Sequence, residues 1–109
     1  MADYLLLSTG KGKMPETEEE QKAFMDAWGA WMGGLGAALK DGGNPFNPGA
    51  TKTIDPSGSV SDGSPVDASG YLIITADSLD AATEMAKTCP VLLSGNTINL
   101  FETVDMMGG

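Results

Sequence analysis

Two short stretches of this chain are apolar at successive positions, and they restrict the fold more than any other feature. They are Leu5-Leu6-Leu7 and Leu72-Ile73-Ile74. Side chains alternate across a strand, so an unbroken apolar run shows hydrophobic surface on both faces of its sheet. Each run needs cover on two sides. The surrounding pattern predicts strands over Tyr4 to Thr9, ended by the Ser8-Thr9-Gly10-Lys11-Gly12 turn cluster, and over Gly70 to Ala76.

Helical signals follow both strands. Thr17 with Glu20 three residues on forms a capping box, and Glu18 and Glu19 suit the positive end of a helix dipole. Phe24, Trp28, Trp31, Met32, Leu35 and Leu39 then recur at steps of three and four, one apolar stripe. Asp41-Gly42-Gly43-Asn44-Pro45 reads as the helix stop. Gly29, Gly33, Gly34 and Gly36 within this helix each cost about 1 kcal/mol against alanine, which predicts a close backbone approach there. A second helix starts at Asp77 or Ser78, turns Leu79, Ala82, Met85, Ala86 and Cys89 inward, and stops at Pro90.

The remaining segments complete the order. The threonine-rich Ala50 to Asp55 predicts a strand, Pro56 to Ser69 a loop or irregular hairpin, and Thr97 to Val104 a last strand. The sum is β-α-β-β-α-β, an α+β ferredoxin-like arrangement with two helices on one face of a four-stranded antiparallel sheet. At 109 residues this is one domain, spanning 1–105, with a frayed flexible tail at 106–109. Two helices hide one sheet face only. The two-sided strands leave several hundred Å² of apolar surface on the other, and a second copy related by a two-fold axis is the simplest cover. The expected partner is therefore the chain itself, as a homodimer through the open sheet face.

Charge narrows the functional classes. The net charge is −9, and all six basic residues are lysines. No arginine fork is present to grip phosphates, and an acidic body repels nucleic acid and anionic membranes, so neither is expected as a partner. The single Cys89 excludes an internal disulfide; with no signal-peptide pattern at the start, a cytoplasmic setting is expected.

The chain has no histidine, which removes the commonest acid–base group and zinc ligand together. No metal site and no cofactor is expected. Gly10-Lys11-Gly12-Lys13 lacks the phosphate-loop pattern, since position 7 is leucine and position 14 methionine. Asp55 to Val66 fails as a calcium loop, with Val60 where glycine belongs and Val66 where glutamate does. Cys89 reads as a buried helix-end filler. Trp28 and Trp31 read as core or interface anchors, with ligand stacking the alternative. The 56–69 loop is the best placed segment for function, because long loops in compact domains often carry it.

One family resemblance runs through most of these elements. Asp62-Gly63-Ser64-Pro65, then Gly70-Tyr71-Leu72-Ile73-Ile74, then Leu79-Asp80-Ala81-Ala82 resemble the YCII-related proteins and, more narrowly, their DGPF branch. Tyr4-Leu5-Leu6-Leu7, the tryptophan-bearing first helix and Cys89-Pro90 fit the same pattern. The resemblance implies a dimeric α+β barrel. The chain departs from it at Ser64-Pro65, where Pro-Phe is usual, and near Phe24 and Met25, which lack a family histidine, so no catalytic histidine carries over.

Three functions remain open. The first is a small-molecule-binding module with a pocket between the sheet, the first helix and the 56–69 loop, using Tyr4, Trp28, Asp62 and Ser64. The second is a cofactor-independent isomerase, lyase or oxygenase with Asp62, or another pocket carboxylate, as its base; this needs a carboxylate buried against Trp28 or Tyr4. The third is a regulatory interaction protein acting through its acidic surface.

Overall fold

The computed structural model describes residues 1–106. The elements are β1 (Ala2–Thr9), α1 (Glu18–Leu35), β2 (Leu39–Pro45), β3 (Lys52–Ile54), β4 (Val60–Asp62), β5 (Ala68–Ala76), α2 (Leu79–Ala86) and β6 (Thr97–Glu102). Short 3₁₀ turns at Gly36–Ala38 and Pro90–Ser94 join α1 to β2 and lead into β6. Four strands form one antiparallel sheet in the order β2-β5-β1-β6, while β3 and β4 pair separately as a ribbon. With that ribbon set aside, the fold is the ferredoxin-like α+β arrangement. Of the expected tail, Met106 is exposed and 107–109 lie outside the described residues.

The two apolar runs form the middle of the sheet. Leu5 sits between Ile73 and Phe101, Leu6 between Leu72 and Leu100, and Leu7 between Tyr71 and Asn99. Burial alternates as the pleat requires. Tyr4, Leu6 and Ser8 of β1, with Gly70, Leu72, Ile74 and Ala76 of β5, are buried under the helices. Leu5, Leu7, Tyr71 and Ile73 face the other way and are only half-buried. On the helix side α2 packs closely, because its inward residues, Ala82 and Ala86, are small. Ser78 caps it, its Oγ accepting the Ala81 N–H at 3.1 Å.

Helix α1 behaves differently, and the difference makes the site. Its cap is as expected: Thr17 Oγ1 accepts the Glu20 N–H at 3.0 Å. None of its residues is fully buried. It meets the core through the bulky, partly buried Trp28, Trp31 and Leu35, and Trp31 Nε1 donates to the Met85 carbonyl at 3.1 Å. Large side chains hold the helix off the sheet, and a gap opens beneath it.

Three sequence expectations are corrected here. The segment read as the helix stop is β2, and Ala50–Asp55 contributes no strand to the main sheet. Leu39 continues the helical spacing of α1 only in the sequence; in the fold it pairs with Ile74 of β5. The Gly42-Gly43 pair belongs to an irregular edge strand, with register breaks on both sides of Asp41. Gly43 has φ 65°, its N–H donates to Asp41 Oδ1 at 2.8 Å, and a Cβ there would fall 1.6 Å from the Tyr71 carbonyl oxygen. Only glycine lets the backbones approach so closely. The expected close approach at Gly29, Gly33 and Gly34 does not occur: a Cβ on any of them meets nothing within 4 Å.

Lys52–Ile54 instead pairs with β4, so the stretch read as a loop or irregular hairpin is half of a projecting β-ribbon. Its turn is built by Asp55, whose carboxylate accepts the Ser57 and Ser59 N–H groups at 2.9 and 3.0 Å. The Ser57 hydroxyl, first, and these backbone donors hold the Asp55 pKa below the usual aspartate value. The described residues span 46 × 40 × 19 Å with a radius of gyration of 15.6 Å. A compact chain of this length would give about 13 Å, so the molecule is a thin two-layer slab with an arm. No described helix is long and apolar enough to cross a membrane.

Candidate functional site

The gap under α1 is a cavity of about 420 Å³, within the roughly 300–1,000 Å³ typical of small-molecule sites. Leu6, Leu72 and Ile98 of the sheet form its floor, and Phe24, Met25, Trp28 and Met32 of α1 its roof. Gly42 to Pro45 of β2 close one side; Cys89, Val91 and Ser94 close another. In the roof Phe24 meets Trp28 edge-on at 6.2 Å and 81°, and outside the lining Trp28 meets Trp31 at 5.7 Å and 84°. Met14 and Met25, both 69% exposed, stand at the rim. Beside it, a depression of about 360 Å³ shares Met14, Phe24 and Ser94 and reaches out to Lys13 and Glu20.

Polar groups converge at one end. Ser8 is the one buried polar residue among those described, and its Oγ lies 2.8 Å from Ser69 Oγ. Asn96 Nδ2 donates to Ser69 Oγ at 3.3 Å, and all three side chains belong to the lining. No lysine, aspartate or glutamate lines the cavity. Cys89, 2% exposed, is chemically quiet: burial pushes its thiol pKa up, and a backbone hydrogen bond at Val91 offsets this only in part. Among the described residues, no three His, Cys, Asp or Glu side chains are placed to hold a metal.

Of the four residues singled out from the sequence, only Trp28 lines this cavity. Tyr4 is 1% exposed in the core, and its hydroxyl donates to Glu102 Oε1 at 2.9 Å. Asp62, the candidate base, lies on the projecting ribbon, exposed and paired with Lys52. Ser64 is exposed beyond it, its Oγ accepting the Val66 N–H at 3.0 Å. Of the 56–69 loop expected to wall the pocket, Ser69 at its end is the one residue that reaches the site, and the residues sequence reasoning missed are Ser8, Asn96, Met14 and Met25. Ser8 carried a usable signal: it follows Tyr4 and Leu6 at the two-residue step of the buried face, where a hydroxyl is out of place unless it has a partner.

Fold and cavity together define a ferredoxin-like α+β protein with a ligand-sized chamber between its first helix and its sheet. One solved structure that shares this architecture is 5-chloro-2-hydroxyhydroquinone dehydrochlorinase (TftG) from Burkholderia phenoliruptrix AC1100, in complex with 2,5-dihydroxybenzoquinone. The match has a TM-score of 0.55 at 18% identity, covering 94% of this chain and 93% of that one. At that identity the likeness establishes the fold. No protein-family model matches the chain, and no curated protein does either.

Proposed function

We propose that this protein binds a small organic molecule in the cavity beneath α1, as a homodimer of the YCII-related type. One observation carries the reading: an uncharged chamber of ligand size, walled by aromatic and thioether side chains, with three polar side chains converging at one end. The structural neighbour, captured with a small oxygenated ring, supports it. Carboxylate-driven catalysis has less support. It needs an acid in the chamber, and none of the fifteen Asp and Glu residues lines it. The homodimer rests on the open sheet face, where Leu5, Leu7, Tyr71 and Ile73 are half-buried and Phe101 is 52% exposed.

Native mass spectrometry of freshly purified protein tests the binding reading. A mass increment that is retained under gentle ionisation and lost on denaturation is the expected result. If neither endogenous molecules nor a panel of small aromatics bind, the reading fails. Light scattering on a sizing column tests the dimer, which should run at twice the 11.2 kDa chain mass; a monomer at micromolar concentration refutes it.

A further inference from the structure

The polar end of the cavity is organised around one amide whose orientation is fixed from outside. Asn96 Oδ1 accepts the Gly12 N–H at 2.6 Å. A backbone N–H can only donate, so the amide oxygen must face Gly12 and Nδ2 must turn the other way, toward Ser69. From there the bonds run in one direction. Nδ2 donates to Ser69 Oγ, Ser69 Oγ donates to Ser8 Oγ, and Ser8 Oγ donates to the Gly70 carbonyl at 3.2 Å. Both hydroxyl hydrogens are consumed within this chain. The second N–H of Asn96 and the spare lone pairs of the two serines remain, in the lining of a largely apolar chamber.

Gly12 makes this arrangement possible. A Cβ on it would lie 2.4 Å from the Ser94 carbonyl oxygen and 2.5 Å from Asn96 Oδ1. Neither overlap is relieved without moving backbone or displacing the amide.

We infer that the ligand is a neutral, flat ring system bearing one hydroxyl group, whose oxygen accepts from Asn96 and whose proton goes to Ser8 or Ser69, and that Gly12 is the positioning residue for this contact. The inference rests on the proposed ligand-binding function and gives that ligand its chemical class. The ring follows from the edges of Phe24 and Trp28 and the thioethers of Met25 and Met32, which suit a flat π-face. Neutrality follows from the lining. An anion entering it finds no cation and is repelled by a body of charge −9, and a cation finds no carboxylate. The oxygen follows from the spare amide N–H, since a purely hydrocarbon ligand would bury that donor without a partner.

Three probes of one shape separate the possibilities: 2-naphthol, naphthalene and 2-naphthoate, titrated against tryptophan fluorescence. The wild type should prefer 2-naphthol over naphthalene by roughly 3- to 10-fold, the worth of one net hydrogen bond, and bind 2-naphthoate weakest. Asn96→Ala should bring the ratio close to one, weakening 2-naphthol through the lost hydrogen bond and tightening naphthalene, which no longer buries an unpartnered donor. Gly12→Ala should do the same, a pattern that general loss of structure would not produce. Should Gly12→Ala fail to fold, Asn96→Ala alone decides the ligand class. A tighter fit for 2-naphthoate, or a full 2-naphthol preference in Asn96→Ala, overturns the inference and leaves ligand binding standing. Binding of none of the three also overturns the inference, while a small molecule retained in the native mass spectrum would still uphold ligand binding itself.

Discussion

Gly42 and Gly43 are neighbours in one edge strand, yet the structure predicts opposite results for the same substitution. An alanine at Gly43 would hold φ near 65°, which costs about 1–2 kcal/mol for a residue with a Cβ. That Cβ would also sit 1.6 Å from the Tyr71 oxygen and 2.6 Å from its carbonyl carbon. Both are backbone atoms of β5, so no side-chain rotation relieves the overlap and β2 must lift off its partner. Overpacking of this kind adds about 1–3 kcal/mol. The expected loss is about 2–5 kcal/mol, a large share of the roughly 5–15 kcal/mol that holds a domain together. At Gly42 the nearest atom to a new Cβ is the mobile Met32 Cε at 4.0 Å, and φ is ordinary. Alanine there should be neutral, or stabilise by about 0.4–1 kcal/mol through the unfolded chain. Urea unfolding followed by circular dichroism measures both. In a thermal scan Gly43→Ala should lower Tm by at least about 10 °C. Equal midpoints for the two variants, or a Gly43→Ala loss below about 0.5 kcal/mol, the range of an uninvolved surface change, would refute the assigned close approach.

Other predictions use the same observations. Gly33→Ala, on a face of α1 where a Cβ meets nothing within 4 Å, should raise stability by about 0.5–1 kcal/mol in the same urea assay; destabilisation would mean something covers that face. Leu5→Glu, which puts a charge between Ile73 and Phe101 on the open sheet face, should convert a dimer to a monomer by light scattering with the circular dichroism spectrum unchanged; an unaltered oligomer would move the interface elsewhere. Burial, first, and then the Glu102 hydrogen bond and charge raise the Tyr4 pKa above the ordinary value near 10. The folded state therefore holds this proton more tightly than the unfolded chain. Its stabilising contribution is whole below about pH 10 and disappears as pH climbs past that value. Wild-type stability should fall more steeply than that of Tyr4→Phe between pH 9 and 11 in urea melts, and parallel curves would refute the assignment.

The parts of the fold legible in the sequence were those whose demands are local or two-sided. Leu5-Leu6-Leu7 and Leu72-Ile73-Ile74 announce central strands because few other environments bury apolar residues in succession, and Ser78 announces a cap. Leu39 to Pro45 was illegible for a physical reason. Two glycines and a proline have poor strand propensity, and what makes them a strand is the unpaired edge of β5, more than twenty residues away. The site divides in the same way. Trp28 could be found because aromatic residues at helical spacing must lie on one face. Asn96 could not, since Ser94-Gly95-Asn96 is turn chemistry anywhere, and its role comes from the Gly12 N–H at the opposite end of the chain.

The projecting ribbon bears on engineering. The main sheet is already joined where the ribbon leaves it: Pro45 pairs with Gly70, and the Phe46 N–H donates to the Ser69 carbonyl at 2.9 Å. No residue from 46 to 68 lines the chamber. This stretch can therefore lengthen, shrink or change its chemistry while the chamber lining stays the same, and the reverse holds as well. The Asp62-Gly63-Ser64-Pro65 turn thus lies apart from the chamber. That separation makes the ribbon a site where a tag or a foreign loop could be grafted with the chamber left intact.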